Sequence, residues 1–287
     1  MGLTKALPWW ARLGAKLLLS RLPLPYRFWS WLGLFRHGDM NIPVRAQEAF
    51  ERCFAKALAV RSFEPGFTSL ELGPGDSVLT GLAARAGGAG QVWLVDAGAF
   101  ANTDTKTCHS MVGLLNGDLP DISRCKNLDA VLLNCNIAYL TNGVKALSTI
   151  PTASVDFFWS RVVLEHVPLA DFDELLKELR RIVKDNAVGV HAVDFRDHLG
   201  GGLNNLRFGQ DLWESGWFSN SGFYTNRIRC HEMIRRFVSA GFTVNVLRQS
   251  QWPAIPLSRD QMAPAFRCLS VEELMIAEAE LLVRPRI

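Results

Sequence analysis

Apolar positions recur along this chain with two periods, and the changes between them mark out the elements. From 43 to 60, Ala46, Ala49, Phe50, Phe54, Ala57 and Leu58 stand at helical spacing and predict an amphipathic helix leading into the first strand. The apolar run Phe67 to Leu72 is followed by Gly73, Pro74 and Gly75, then by the helix-like stretch Val78 to Ala84. Strand, tight glycine turn and helix in that order carry backbone N–H groups up to a nucleotide-like ligand. Gln91 to Val95 reads as a second strand and Asn136 to Tyr139 as a third, with a turn at Thr141 to Gly143. The long interval after Asp96 reads as an inserted helical segment. Asp171 and Glu174 have the spacing of a capping box, opening a helix with Leu175, Leu176, Leu179, Ile182 and Val183 on its apolar face and Asp185 and Asn186 at its close. Ala187 to Asp194 alternates as a fifth strand. Arg229 to Ala240 is helical and stops at Gly241 as at a C-cap, and Phe242 to Leu247 and Ala279 to Arg284 are the last two strands.

Asp96 closes the second strand one βα unit after the glycine turn, where its carboxylate could accept hydrogen bonds from both ribose hydroxyls of a nucleoside cofactor. The third glycine expected for close pyrophosphate approach would fall at position 78, which is Val. That argues against a dinucleotide and disfavours an NAD(P)-dependent oxidoreductase, the main rival among enzymes.

With this turn, the strand-end carboxylate and the segment Ser154 to Pro168 (SVDFFWSRVVLEHVP), the chain resembles the class I S-adenosylmethionine-dependent methyltransferases over roughly residues 64 to 285. The resemblance implies a Rossmann-like, doubly wound, mostly parallel seven-stranded α/β sheet, with the last strand pair antiparallel and the fourth strand inside Ser154 to Pro168. It implies S-adenosyl-L-methionine as cofactor, with Gly73 and Gly75 lining its methionine half, Glu71 positioning that end, Asp96 binding the ribose and Ser160 in the same set. Where the family often has an acidic residue for the adenine amino group, this chain offers Asn142. A methyltransferase-like binding protein that has lost turnover is the reading outside enzymes.

Composition changes this picture little. At 287 residues and 48% apolar the chain can bury one large core without disulfides or metals. A net charge of +3 with no long basic run calls for no nucleic-acid partner. Six cysteines show no C-x-x-C spacing and read as thiols in a reducing cytoplasm.

The first 60 residues read as an amphipathic helical arm ahead of a catalytic domain over 61–287. Trp9, Trp10, Trp29 and Trp31 stand among Lys5, Arg12, Lys16, Arg21, Arg27 and Arg36, a mixture suited to a membrane interface. The apolar run Leu17 to Leu19 is broken by Arg21, Pro23 and Pro25, so the arm does not span, and no cleavage site gives it the form of a signal peptide. Two readings stay open: packing on the domain or a second subunit, and peripheral contact with an anionic membrane, at the inner face of the cytoplasmic membrane.

Methyl transfer from a sulfonium is an in-line displacement, so the protein chiefly supplies alignment and a way to remove the acceptor's proton. The densest set of suitable groups runs from His191 through Asp194, Arg196 and Asp197 to His198, at the carboxyl end of the fifth strand, where ligands bind in open α/β sheets. His198 is the first choice for general base, with Asp194 or Asp197 to orient it, and His191 the second. The alternative is that Asp and His cap the turn. No metal is expected, since the spacing matches no strong ligand pattern. Glu165 and His166, after the fourth strand, face the transferred methyl or serve loop architecture. An aromatic insert at about 199–229 reads as a lid, with Arg207, Arg227 and Arg229 to hold a phosphate or carboxylate and Tyr224 and Asn226 to contact the acceptor. A second small core under a fixed loop is the alternative. Together these point to O-methylation of a small or glycan-type acceptor.

Overall fold

The computed structural model describes residues 8–19, 21, 40–115, 117 and 119–286. Seven strands form one sheet: β1 Thr68–Leu72, β2 Gln91–Val95, β3 Ile137–Leu140, β4 Val155–Arg161, β5 Val183–Asp194, β6 Phe242–Gln251 and β7 Ile276–Pro285. Their order is β3-β2-β1-β4-β5-β7-β6, parallel except for β7, which runs against both β5 and β6. β4 is buried on both faces through Ser160, which is why Phe157, Phe158 and Trp159 stand consecutively at its centre.

Two layers cover the sheet. One face packs Phe157, Trp159 and Val190 against the helices Pro43–Leu58 and Leu79–Ala86, with Met111 and Val131 of two shorter helices completing that core. The other packs Phe158, Val193 and Leu281 against the helices Leu169–Ile182 and Cys230–Ser239. The Pro43–Leu58 helix buries Ala46, Ala49, Phe50, Cys53 and Ala57 and so shares the sheet's main core.

The 199–229 insert is a fixed cap. Leu199, Trp213, Phe218, Phe223 and Tyr224 make a small core of their own, closed by Trp9, Leu13 and Leu17 of the N-terminal helix Trp9–Leu19. Leu203 and Leu206 tie it to the β6–β7 connection through Leu257, Met262 and Leu274. The aromatic residues that suggested a mobile lid are there because a chain excursion of this length needs apolar burial to hold it down.

Several boundaries differ from expectation. The Leu169–Ile182 helix starts directly after Pro168, with no side-chain cap, so Asp171 sits inside its first turn. It stops at Ile182 because Val183 already pairs with Val155, which places Asp185 and Asn186 within β5. The helix before β6 does end at Gly241, whose φ of +90° suits a residue without Cβ. Lys5, Arg27, Trp29, Trp31 and Arg36 lie outside the described residues. No helix among those described is long and apolar enough to cross a membrane.

Candidate active site

The sheet order reverses between β1 and β4, so their carboxyl ends open a crevice. Gly73 and Gly75, both at φ +67°, turn the chain there. A Cβ on Gly73 would run into the side chain of Val163, which β4's exit loop presses against the turn. The residue before it, Val162, is held at φ +56°, a strained conformation for a β-branched side chain. Gly73 donates its N–H to Val95 O at 2.8 Å and Gly75 to Asp96 Oδ2 at 2.8 Å. Asp96 Oδ1 accepts from Ala97 N at 2.7 Å and its backbone carbonyl from Gly143 N at 2.8 Å, so two donors hold the carboxylate and a third holds the backbone behind it. Asn142, exposed just before Gly143, stands on the rim beside it. Glu71 is buried beneath the turn and accepts from the Thr80 hydroxyl. Burial, added to by the charge of Asp96 and opposed by Thr80, pushes its carboxyl up to about 8. Ser160 is different: it is fully buried on the far side of β4 and its Oγ shares a 2.8 Å hydrogen bond with His191 Nδ1. It packs in the core and does not reach the crevice.

His191 is likewise a core residue. Its ring lies 5.4 Å from that of Phe158 and 5.6 Å from that of Phe237, and desolvation lowers its pKa to about 3. A ring so enclosed cannot accept a proton from an acceptor in the crevice. Asp194 spends both carboxylate oxygens on Arg196, at 2.9 and 3.0 Å. Asp197 caps the turn beyond β5, Oδ1 accepting from Leu199 N and Gly201 N and Oδ2 from Asn204. Neither carboxylate orients His198.

What His198 meets is His166. The two imidazoles stack with centroids 4.8 Å apart and planes inclined by 30°. His166 Nδ1 lies 3.0 Å from the Tyr224 carbonyl, which can only accept. Nδ1 of His166 therefore carries a proton and donates to that carbonyl. Burial, reinforced by the charge of Lys16, lowers the pKa of His198 and keeps it neutral. Lys16 donates to the His198 carbonyl at 2.9 Å and Arg12 to that of Leu199 at 3.3 Å, so the N-terminal helix holds this loop.

The residues assigned to the acceptor from the insert fasten the cap. Arg229 donates to the carbonyls of Phe195, Glu273 and Ile276 at 2.7, 3.1 and 2.6 Å. Arg227 donates to Asn205 O, Phe208 O and Gln210 Oε1, and its guanidinium lies over the rings of Trp213 and Phe266. Burial lowers both to about 10, which leaves them charged at neutral pH. Asn226 Nδ2 donates to the Leu164 and Val167 carbonyls. Tyr224 donates to Glu214 and accepts from Leu169 N. Arg207 binds Asn204 and Gln261 and lies over Trp9. Arg229, Arg227 and Asn226 thereby pair backbone carbonyls that would otherwise lack a donor.

Glu165, expected with His166 to face the transferred methyl or to serve loop architecture, is 2% exposed. Its Oε1 accepts from Asp194 N at 3.2 Å, while Oε2 has no hydrogen-bond partner among the described residues. Burial, then the charge of Asp194, pushes it up to about 8, so it is a neutral carboxylic acid next to His166. The Leu-Glu-His segment was the sequence signal for it. Arg12 and Lys16, four residues apart on one helix face, were missed. Among the described residues no three His, Cys, Asp or Glu side chains are grouped to hold a metal ion.

Residues 70–190 match the family model described as a methyltransferase domain, a stretch that runs from within β1 into β5 and holds the glycine turn, Asp96 and His166. No curated protein matches the chain. Solved structures similar to it include a chain of the Haloferax volcanii complex between the Trm112 methyltransferase activator and a methyltransferase, at 16% identity, covering 85% of this chain and 93% of that one with a TM-score of 0.43. The Bacillus subtilis YcgJ protein shares 13% identity over 81% of this chain and 97% of that one, TM-score 0.44. An S-adenosylmethionine-dependent methyltransferase from Mesorhizobium loti shares 15% over 83% and 99%, TM-score 0.43. The sheet order and the glycine turn are those of the Rossmann-like methyltransferase fold, and the domain match lies within it over residues 70–190. The cofactor is S-adenosylmethionine, and the Glu71–Gly75 turn with Asp96 fits that molecule: a backbone without Cβ at Gly73 and Gly75, a held carboxylate that could take the ribose and a buried acid beneath the turn.

Proposed function

We propose that this protein transfers the methyl group of S-adenosylmethionine to a hydroxyl of a small or medium acceptor, with His198 taking the hydroxyl proton. The observation that carries this reading is the stacked imidazole pair His166 and His198, just past the carboxyl ends of β4 and β5, with His198 kept neutral by burial. A hydroxyl is a poor nucleophile until its proton leaves, so a neutral base beside the crevice is of most use to an oxygen acceptor. His166, stacked on His198, would share the contact with the acceptor. Asn142 would meet the adenine from the rim. A glycan-type acceptor has less support, because Trp217 is the most exposed aromatic ring of the described insert and the others are enclosed. We divide the chain functionally into an arm over 1–60 and the methyltransferase domain over 61–287. The test is a panel of acceptors on one skeleton that differ only in the reacting group, alcohol, phenol, amine or thiol, assayed with methyl-labelled cofactor. Oxygen products are expected; label on the amine or thiol alone would refute the reading.

A further inference from the structure

The Trp9–Leu19 helix has two unlike faces. Inward, Trp9, Leu13 and Leu17 close the insert's core, while Arg12 and Lys16 hold the His198 loop. Outward, Trp10 is 63% and Leu18 74% exposed. Just past the helix, Arg21 returns its N–H to the Leu18 carbonyl, donates its guanidinium to the Trp217 carbonyl at 2.7 Å and lies 4.4 Å over the Trp217 ring. Trp217 is 65% exposed and Leu212, one short turn earlier in the insert, 50%. Two segments nearly 200 residues apart in the chain thus meet at Arg21, with Leu18 on one side of it and Trp217 on the other, both exposed to water. Such an arrangement costs free energy in solution and marks a surface that is covered in use.

Charge names the occupant. Before Asp39 the chain has six Lys and Arg and no Asp or Glu, whereas the rest holds 25 basic residues against 28 acidic. The positive net charge of the whole protein therefore resides in the arm that carries Trp10 and Leu18. A second copy would set this charge against itself. A layer of anionic headgroups would neutralise it, and Trp with Arg at its edge suits the boundary between headgroups and acyl chains.

We propose that this face docks on an anionic phospholipid surface, Trp10, Leu18 and Trp217 entering the headgroup layer and the net positive charge of the arm drawing it to that surface. The proposal does not depend on the methyl acceptor. The full chain, a Trp10→Ser/Leu18→Ser variant and a Trp217→Ser variant are sedimented with phosphatidylcholine vesicles, with or without about 30% phosphatidylglycerol, at low and high salt. The parent is expected to pellet with the anionic vesicles only and to be released by salt. Both variants should lose at least tenfold in binding while keeping the parent's melting temperature and cofactor affinity, since the altered side chains project from the surface. A parent that stays in the supernatant, variants that pellet like the parent, or equal binding to pure phosphatidylcholine would overturn it. So would a concentration-dependent dimer, dissolved by the same substitutions, in place of vesicle binding.

Discussion

The backbone N–H of Gly75 points at Oδ2 of Asp96, 2.8 Å away. Two residues that the spacing of the sequence relates through a ligand are thus joined directly, and the carboxylate is aimed before any ligand arrives. Two backbone donors, Gly75 and Ala97, fix the direction of this carboxylate. Preorganisation of this kind removes an ordering cost from binding.

The glycine turn has little tolerance. Gly73→Ala places a Cβ against Val163 at φ +67°, a conformation that costs an L-residue roughly 1–2 kcal/mol apart from the collision. The variant should melt lower and bind S-adenosylmethionine more than tenfold more weakly. Adding Val163→Ala should recover part of the loss by removing the collision and not the strain. No recovery in calorimetric melting would mean that Val163 does not limit the turn.

How much of this was legible before the fold was seen depended on range. The turn, Asp96 and the helix stop at Gly241 rest on local rules, and all three appear where those rules put them. Alternation along β5 placed His191 and Asp194 on opposite faces, yet nothing local told which face Phe158 and Phe237 would enclose. The arginines misled for a similar reason. A guanidinium beside aromatic residues looks like an anion site, and the carbonyls that Arg229 holds belong to Phe195, Glu273 and Ile276, brought together by β5 and β7 only after folding. The role of Lys16 is set by a loop more than 180 residues away.

Glu71 should report cofactor binding through protons. Its folded pKa of about 8 lies above the ordinary 4.5, so the folded protein holds a proton that the unfolded chain has released between those values. Stability from this group is full below 4.5 and is lost as the pH rises through 8. A cationic ligand end favours the ionised form, so binding should expel this proton. Titrations near pH 7 in buffers of different ionisation enthalpy should show proton release that Glu71→Gln abolishes; release unchanged in the variant would place the proton elsewhere.

His191 works in the opposite direction. Its folded pKa of about 3, against 6.5, makes the unfolded chain the better proton binder between these values. Its contribution is complete above pH 6.5 and falls away as the pH drops through 3, on the order of a few kcal/mol in all. His191→Gln should flatten the fall in denaturation midpoint from pH 6.5 to 4. An unaltered slope would show that the ring is not the titrating group.

If His198 takes the proton, its lowered pKa puts the rise of the rate below pH 6.5, with a plateau through neutrality. His198→Gln should then cost about 100- to 10,000-fold in single turnover at saturating cofactor. His191→Gln should leave the rate within a few-fold. A His198→Gln rate close to the parent's would exclude a general base at that position.

The central claim, that the Glu71–Gly75 turn and Asp96 hold S-adenosylmethionine, is tested most directly by isothermal titration of the parent and of Asp96→Ala with S-adenosylmethionine, S-adenosylhomocysteine and NADH. The parent should bind the first two and not NADH, and Asp96→Ala should lose roughly 1.5–3 kcal/mol of affinity for both, as expected for a charged acceptor removed from two hydroxyls. Binding of NADH to the parent, or full affinity for S-adenosylmethionine in Asp96→Ala, would contradict the account.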